Sequence, residues 1–260
     1  MIITSRDNEI IKETAKLMSS SKHRKQQGCF VAEGVRLCTD GVNSGAKLLT
    51  FLFTANAAEK YPEEYRKLSD SADRCFEISE SLLSKISDTR SPQGFVCVFE
   101  TLDKNHKMFK INNQGRYAAL ENIQDPSNMG TILRSAEALG VDGIILSSDC
   151  CDIYSPKVVR GSMGAVFRVP VIAAENFTEY IRELTKQGIW TYASTPHDAE
   201  NIEDVDFSQG CVMLIGNEGN GLKNETIAVC SRRVRINMKG RAESLNASAA
   251  AAILLYKLQG

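Results

Sequence analysis

Leu214-Ile-Gly-Asn-Glu-Gly-Asn-Gly-Leu222, followed by Ile236-Asn-Met-Lys-Gly-Arg-Ala-Glu-Ser-Leu-Asn-Ala-Ser-Ala-Ala-Ala-Ala-Ile253, decides how this chain is read. Cys211–Ile215 is a short apolar run with the composition of a buried strand, and Gly216, Gly219 and Gly221 then let the backbone turn tightly and present its amides. The arrangement repeats. Arg233–Ile236 reads as a strand, a turn passes Gly240, and Glu243, Ser244 and Asn246 lie at the mouth of an alanine-rich helix. Unpaired N–H groups and the helix dipole favour an anionic or electron-rich ligand there. Taken singly, each feature has a plain structural reading as a turn or a cap. Their density argues for more: two successive strand-loop units bring Asn217, Glu218, Glu243, Ser244 and Asn246 together, where a turn needs only one such residue. The alanines at 247–252 favour a helix and allow another backbone or subunit to approach closely.

The whole chain has 260 residues, more than one typical domain, so two are expected. Its 43% hydrophobic and 24% charged content is that of a soluble globular protein. A net charge of -1 gives no global basic field, which leaves room for a local basic patch as an RNA footprint. No run long and apolar enough for a membrane span occurs, and the first residues lack a signal-peptide layout, so the expectation is a cytoplasmic protein. The eight cysteines show no C-x-x-C spacing, and Cys97 and Cys211 sit at apolar positions; small core residues are expected, with no metal. His23, His106 and His197 are far apart and have no evident nucleophile beside them.

From the start, residues 5–20 have helical spacing, and the basic segment through Lys22, Arg24 and Lys25 reads either as a solvated loop or as a phosphate contact. Strands at 29–32, 47–53, 75–78 and 94–99 alternate with helices at 34–44, 59–70 and 80–86, which predicts a small α/β domain over 1–100. Residues 101–115 lose this periodicity and read as a linker. A second series occupies 116–260: strand 116–120, helix near 128–139, strand 143–146, a helical turn near 156–163, strand 166–172, helix 177–187, then strands 189–193, 211–215 and 233–236 and the final helix. That alternation predicts a mainly parallel sheet covered on both faces, with ligands outside the carboxyl ends of its strands. The loops at 121–128, 194–198, 216–221 and 237–244 would then share one rim.

In the first of these loops, Asp125-Pro126-Ser127 opens a helix by turn and cap chemistry. Arg134 follows Asn128 by six residues, about a third of a helical turn round from it. Flanked by Ile132, Leu133, Ala136 and Leu139, it stands at the edge of an apolar face, a position that suits an arginine with a designated partner.

Three segments, Asn122-x-x-Asp125-Pro-x-Asn128-x-Gly130-x-x-x-Arg134, Leu214-x-Gly216-x-Glu218-x-x-Gly221 and Ile236-x-Met238-x-Gly240-x-x-Glu243-Ser-Leu-Asn246-x-Ser248-x-Ala250, resemble in order and spacing the motifs of the SpoU (TrmH-like) RNA ribose 2′-O-methyltransferases of the SPOUT superfamily. Phe30-Val-Ala-Glu33-Gly34-x-Arg36 is similar to the family's L30e-like accessory RNA-binding domain, and Ala247 and Ala249 replace usual valines. The resemblance implies a trefoil-knotted α/β methyltransferase domain at 116–260, an L30e-like substrate-binding domain at 1–100, a homodimer, and S-adenosylmethionine as cofactor with no metal. It implies catalytic roles for Arg134, Asn128, Glu218, Ser244 and Asn246 and cofactor contacts at Thr195, Leu214, Gly216, Asn217, Ile236, Ser244 and Leu245; RNA contacts are expected at Arg36 in the L30e-like pattern and, on the phosphate-contact reading of the basic segment, at Lys22, Arg24 and Lys25. Methyl transfer at a sulfonium-activated carbon mainly needs alignment, water exclusion and one proton transfer. Arg134 matches the family's proposed base; as a guanidinium, which holds its proton, it is better suited to hold phosphate and the developing alkoxide. Ribosomal RNA is the expected substrate, with transfer RNA as the alternative.

Two rival classes fit the residues less well. Gly216-x-x-Gly219-x-Gly221 has the wrong glycine order for a nicotinamide site and follows a late strand. A non-catalytic RNA-binding module on the same fold would be marked by loss of Arg134 or Asn246, and both are present.

Overall fold

A computed structural model describes residues 2–102, 109–242 and 244–259, so the linker read at 101–115 lies in part outside the described residues. The chain forms two compact units, one from residues up to 102 together with Asp152–Arg168, the other from residues 103–151 and 169–260.

The first unit is a five-stranded mixed sheet in the order β1-β4-β3-β5-β2, with β1 Ile2–Ile3, β2 Cys29–Glu33, β3 Leu48–Phe53, β4 Arg74–Ile78 and β5 Phe95–Glu100. Apolar residues at Ile11, Leu17, Leu82, Leu83 and Ile86 seat α1 (Glu9–Ser19) and α6 (Glu80–Ile86) on it, around Val31, Leu52, Val96 and Val98. The remaining helices are α2 (Ser21–Gln27), α3 (Val35–Asn43), α4 (Ala55–Lys60) and α5 (Pro62–Ser71). The stretch read as one helix over 59–70 is two, because Pro62 lacks an N–H and opens a new helix after Tyr61. Basic residues 21–27 are helical rather than loop: Ser20 caps the start through the His23 N–H, and Gly28, at φ +61°, ends it.

That helix corrects the reading of Arg24. Its side chain is buried, its Nε donates to Asp152 Oδ2 at 2.8 Å and its Nη1 donates to the Leu17 carbonyl at 2.6 Å. A guanidinium buried and committed in this way is a structural ion pair, poorly placed to meet a phosphate. Asp152 belongs to the segment that carries α8 (Pro156–Gly161) and a 3-10 turn at Ala165–Phe167. Tyr154 stacks on Phe30 with centroids 4.7 Å apart, and Phe167 meets Phe99 edge-on at 5.2 Å. The strand read at 166–172 therefore begins only at Val171, since the backbone before it turns to place Phe167 in this core.

The second unit is a seven-stranded sheet in which every pair is parallel, in the order β10-β12-β9-β11-β6-β7-β8. Its strands are β6 Arg116–Leu120, β7 Gly143–Ser147, β8 Val171–Ala174, β9 Trp190–Ser194, β10 Glu200–Asn201, β11 Cys211–Ile215 and β12 Arg232–Arg235. All five residues of β11 are buried, as a central parallel strand demands. Burial pushes the Cys211 thiol up to about 12, so it acts as a small core residue. The helices are α7 (Pro126–Ala138), α9 (Phe177–Lys186), α10 (Asn224–Val229) and α11 (Ala247–Lys257), with α11 packed on α7 and β11. No helix among the described residues is long and apolar enough to cross a membrane.

From β6 the chain moves outward through β7 to β8, then crosses to the other half of the sheet, so strand order reverses between β6 and β11. In an open parallel sheet the crevice at such a switch point lies outside the strand carboxyl ends. The loops leaving β6 and β11 flank it.

Candidate active site

The loop after β11 is closed on itself before it meets anything else. Asn217 and Gly221 exchange backbone hydrogen bonds of 3.0 Å, and Asn217 Oδ1 accepts from the Gly219 and Asn220 N–H groups. A Cβ at Gly216 would lie 2.2 Å from Gly221 C and from Leu222 N, so this turn requires glycine at its first position. Asn217 Nδ2 then donates 2.8 Å to the Asn122 carbonyl, tying the turn to the loop after β6.

Glu218 completes the tie. It accepts from Asn128 Nδ2 at 3.1 Å, Asp125 N at 3.3 Å and Gln124 N at 3.4 Å. Partial burial works to raise its pKa, but these donors outweigh burial and hold the carboxyl below its ordinary value. Asn128, buried in the first turn of α7, passes the contact on: its Oδ1 accepts from Asn246 Nδ2 at 3.0 Å. Asn246 is in turn the N-cap of α11, its Oδ1 accepting from the Ser248 and Ala249 N–H groups at 2.9 and 3.2 Å. One unbroken line of hydrogen bonds thus joins residues 90 and 118 positions apart in sequence.

Beside Asn246, a cleft of about 180 Å³ is lined by Thr195, Ile236, Met238, Ser244, Leu245 and Leu254, with neighbouring residues. Its walls are the ends of β9 and β12 and the start of α11. Residues 236–242 and 244–246 have no regular secondary structure, so their main-chain groups are not used up in ladders. Apolar walls at Met238, Leu245 and Leu254 with hydroxyls at Thr195 and Ser244 suit a flat heteroaromatic ring with a polar edge. An adenosine-bearing cofactor fits that donor set. Among the residues expected to hold it, Thr195, Ile236, Ser244 and Leu245 line the cleft; Leu214 is fully buried and paired on both sides in the central strand, and Gly216 and Asn217 shape the neighbouring turn. Glu243 lies outside the described residues.

Arg134 is exposed on α7 and has no hydrogen-bond or ion-pair partner among the described residues. It lies about 9 Å along the helix from Asn128. The third of a turn between them places Asn128 inside and Arg134 in solvent. In the other unit, Lys22 and Lys25 are exposed on α2 and Arg36 is exposed in the first turn of α3.

Sequence reading missed Glu121. It is 1% exposed, accepts from Thr226 Oγ1 at 2.6 Å and from the Lys223 N–H at 2.8 Å, and so anchors α10 directly behind the loop of Glu218. The available signal was a glutamate immediately after the apolar run Tyr117–Leu120, in line with a buried strand. Lys223 adds an exposed 3.2 Å ion pair with Asp149.

Comparison with known proteins places this geometry. The SpoU rRNA Methylase family model matches residues 115–256, and a model named MRM3-like substrate binding domain matches 8–97. A protein of Synechocystis sp. described as an uncharacterized tRNA/rRNA methyltransferase is 32% identical, over 98% of this chain and 92% of its own length. The 23S rRNA guanosine 2′-O-methyltransferase RlmP of Bacillus subtilis is 28% identical, over 99% of each chain. The crystal structure of an AdoMet-bound rRNA methyltransferase from Sinorhizobium meliloti, 31% identical, covers 100% of this chain and 97% of its own with a TM-score of 0.89. The chain belongs to the SpoU rRNA methylase family.

Proposed function

We propose that this protein methylates the 2′-hydroxyl of a ribose in ribosomal RNA, with S-adenosylmethionine as the methyl donor. The carrying observation is the hydrogen-bonded line Glu218–Asn128–Asn246, which locks three separate motif segments together beside the Thr195–Leu245 cleft. The names of the B. subtilis and S. meliloti relatives support both the rRNA substrate and the cofactor.

Bound in that cleft, S-adenosylmethionine supplies a methyl group already activated by its sulfonium. The chain's own residues then have to seat the ribose, exclude water and manage one proton. Glu218 is a poor base, because its carboxyl is held low and its oxygens are engaged by Asn128 and two backbone amides; its work is to hold the loops. Asn246 and Asn128 fix the start of α11, which sets Ser244 and Leu245 against the cleft. Arg134 is the free cation of α7, and its planar fork suits a phosphate flanking the target ribose and the charge that develops on the 2′-oxygen.

A homodimer belongs to this reading. α11 is apolar all round, yet Ala249, Ile253 and Tyr256 remain exposed along one stripe, Tyr256 at 64%. A second copy is the occupant that the family resemblance implies. A trefoil knot is supported by the return of the chain from β12, near the sheet edge, to dock α11 on α7 and β11 in its middle. A cytoplasmic location follows from the proposed substrate. Mass-spectrometric mapping of ribose methylation in total RNA from a deletion strain tests the function: one 2′-O-methyl should vanish from ribosomal RNA and return with the wild-type gene. Loss from transfer RNA alone, or no loss, overturns the rRNA assignment.

A further inference from the structure

The first unit holds a cavity of about 270 Å³ that the chemistry above does not use, lined by Glu33, Arg36, Leu37, Thr89, Arg160 and Met163 among others. Its wall is built. Glu33, at the end of β2, accepts from the Asp88 N–H at 3.0 Å, from Thr89 Oγ1 at 2.6 Å and from Ser87 Oγ, which ties the 87–89 loop to the sheet. Gln93 Oε1 accepts from the Val35 N–H at 3.0 Å, and its amide nitrogen has no partner among the described residues. Both donors and acceptors therefore border one small space.

Met163 stands at that space just past the C-cap of α8, where left-handed backbone ends the helix. Its φ is +52°, left-handed backbone that costs an ordinary residue about 1 kcal/mol or more, and its side chain is nevertheless 42% exposed. An exposed thioether held by strained backbone offers a polarisable face to an aromatic ring. Arg36, also lining the cavity, is exposed and has no partner among the described residues. Arg160 has its described ion pair only with Asp88, and both side chains of that 2.8 Å pair are about half exposed. Glu33 and Asp40 put carboxylates in the lining, which disfavours an anion inside and leaves the cationic side chains to take one nearby.

We propose that this cavity receives one unstacked RNA base, with Met163 and Leu37 offering faces to the ring, the Gln93 amide and neighbouring hydroxyls its polar edge, and Arg36 the adjacent phosphate. The volume sits just below the roughly 300–1,000 Å³ of small-molecule pockets and is far too small for a helix, so a single nucleoside is the unit that fits. Single-stranded loops with splayed bases are what proteins read in RNA. This deepens the proposed function and rests on its assignment of RNA as substrate.

The test uses the full-length protein, a protein-free 23S rRNA transcript carrying 4-thiouridine, and roughly 150 mM salt, because phosphate contacts weaken steeply with salt. Met163→Gly removes the side chain and relieves the strain, so it cannot fail through misfolding at that φ; Arg36→Ala touches an exposed, unpaired residue. Each should bind the transcript about tenfold more weakly, Met163→Gly through a lost stacking face and Arg36→Ala through a lost phosphate contact, with S-adenosylmethionine affinity unchanged by calorimetry. Photocrosslinks should fall within residues 33–40, 89–93 or 160–163, and unpaired oligonucleotides should compete where a duplex of the same sequence does not. Met163→Gly affinity within twofold of wild type, or equal competition by the duplex, overturns the pocket. If the wild type methylates ribose while Met163→Gly binds normally, the function stands and the pocket falls; if it binds through the pocket but methylates nothing, the reverse holds. A wild type that binds no RNA overturns both.

Discussion

At the scale of single residues, the proposed function gives Arg134 and Glu218 different work. Arg134 is exposed with no hydrogen-bond or ion-pair partner among the described residues, so its removal breaks none of those bonds, whereas Glu218 is engaged on both oxygens. Arg134→Ala should abolish methyl transfer, with kcat and kcat/KM falling together, and leave S-adenosylmethionine affinity at the wild-type value. Arg134→Lys keeps the charge but not the planar fork; a variant retaining most of the rate would show that charge alone suffices. Glu218→Gln places an amide N–H against donors and should cost about 1 kcal/mol after allowance for solvent exposure, with loss of activity as Asn128 loses its anchor. The pH dependence has a definite sign. Because the folded carboxyl lies below its ordinary 4.5, its contribution is complete above that value and disappears as pH falls through the folded value. The stability gap between wild type and Glu218→Gln should therefore be flat from pH 7 to 5 and close in acid; a gap that widens in acid contradicts the hydrogen-bond account.

At the scale of elements, the turn after β11 makes the sharpest claim. Gly216→Ala would drive a Cβ into Gly221 and Leu222 backbone, which cannot step aside as a side chain would. The turn should open, at about 2 kcal/mol, and carry Glu218 away from Asn128. Thermal unfolding and methyl transfer both read this, and a variant equal to wild type in each would show that the turn tolerates more than its geometry allows. This turn was legible in sequence because three glycines directly follow an apolar strand, the usual mark of a tight turn. The parallel sheet was legible for the same reason, since doubly buried strands such as Cys211–Ile215 lack polar alternation. Other elements were not. α2 is highly polar, and besides its local caps at Ser20 and Gly28 it is held by the burial of Arg24 on Asp152, a partner 128 residues away. Glu121 escaped notice because its role depends on α10, a short helix whose sequence has little periodicity. Among site residues, spacing located the loops, but only the fold separates Asn128, turned inward, from Arg134, turned out.

For the whole molecule, two expectations concern how the chain is divided and what covers it. Ile253→Asp with Tyr256→Asp places charge on the exposed stripe of α11 and should give a monomer by light scattering at micromolar concentration; a dimer that persists moves the interface elsewhere. The division itself is less simple than family matches at 8–97 and 115–256 suggest, because Asp152–Arg168 packs with the first unit although it lies inside the second stretch of sequence. A fragment starting at residue 103 would strip Tyr154 of Phe30, Phe167 of Phe99 and Asp152 of Arg24. Re-exposing two buried aromatic side chains costs about 3 kcal/mol or more, and an unpaired Asp152 no longer has a counter-ion. That fragment should therefore aggregate or bind hydrophobic dye, and its urea midpoint should lie well below that of the full chain. A companion fragment with residues 152–168 replaced by a Gly/Ser linker of the same length removes the orphaned surface and leaves the seven-stranded sheet and the Thr195–Leu245 cleft untouched. It should regain a cooperative transition and S-adenosylmethionine binding while RNA affinity stays low. If the simple fragment is already as stable as the companion, the packing of Asp152–Arg168 on the first unit does not set the boundary, and a cut near residue 102 separates two independent domains.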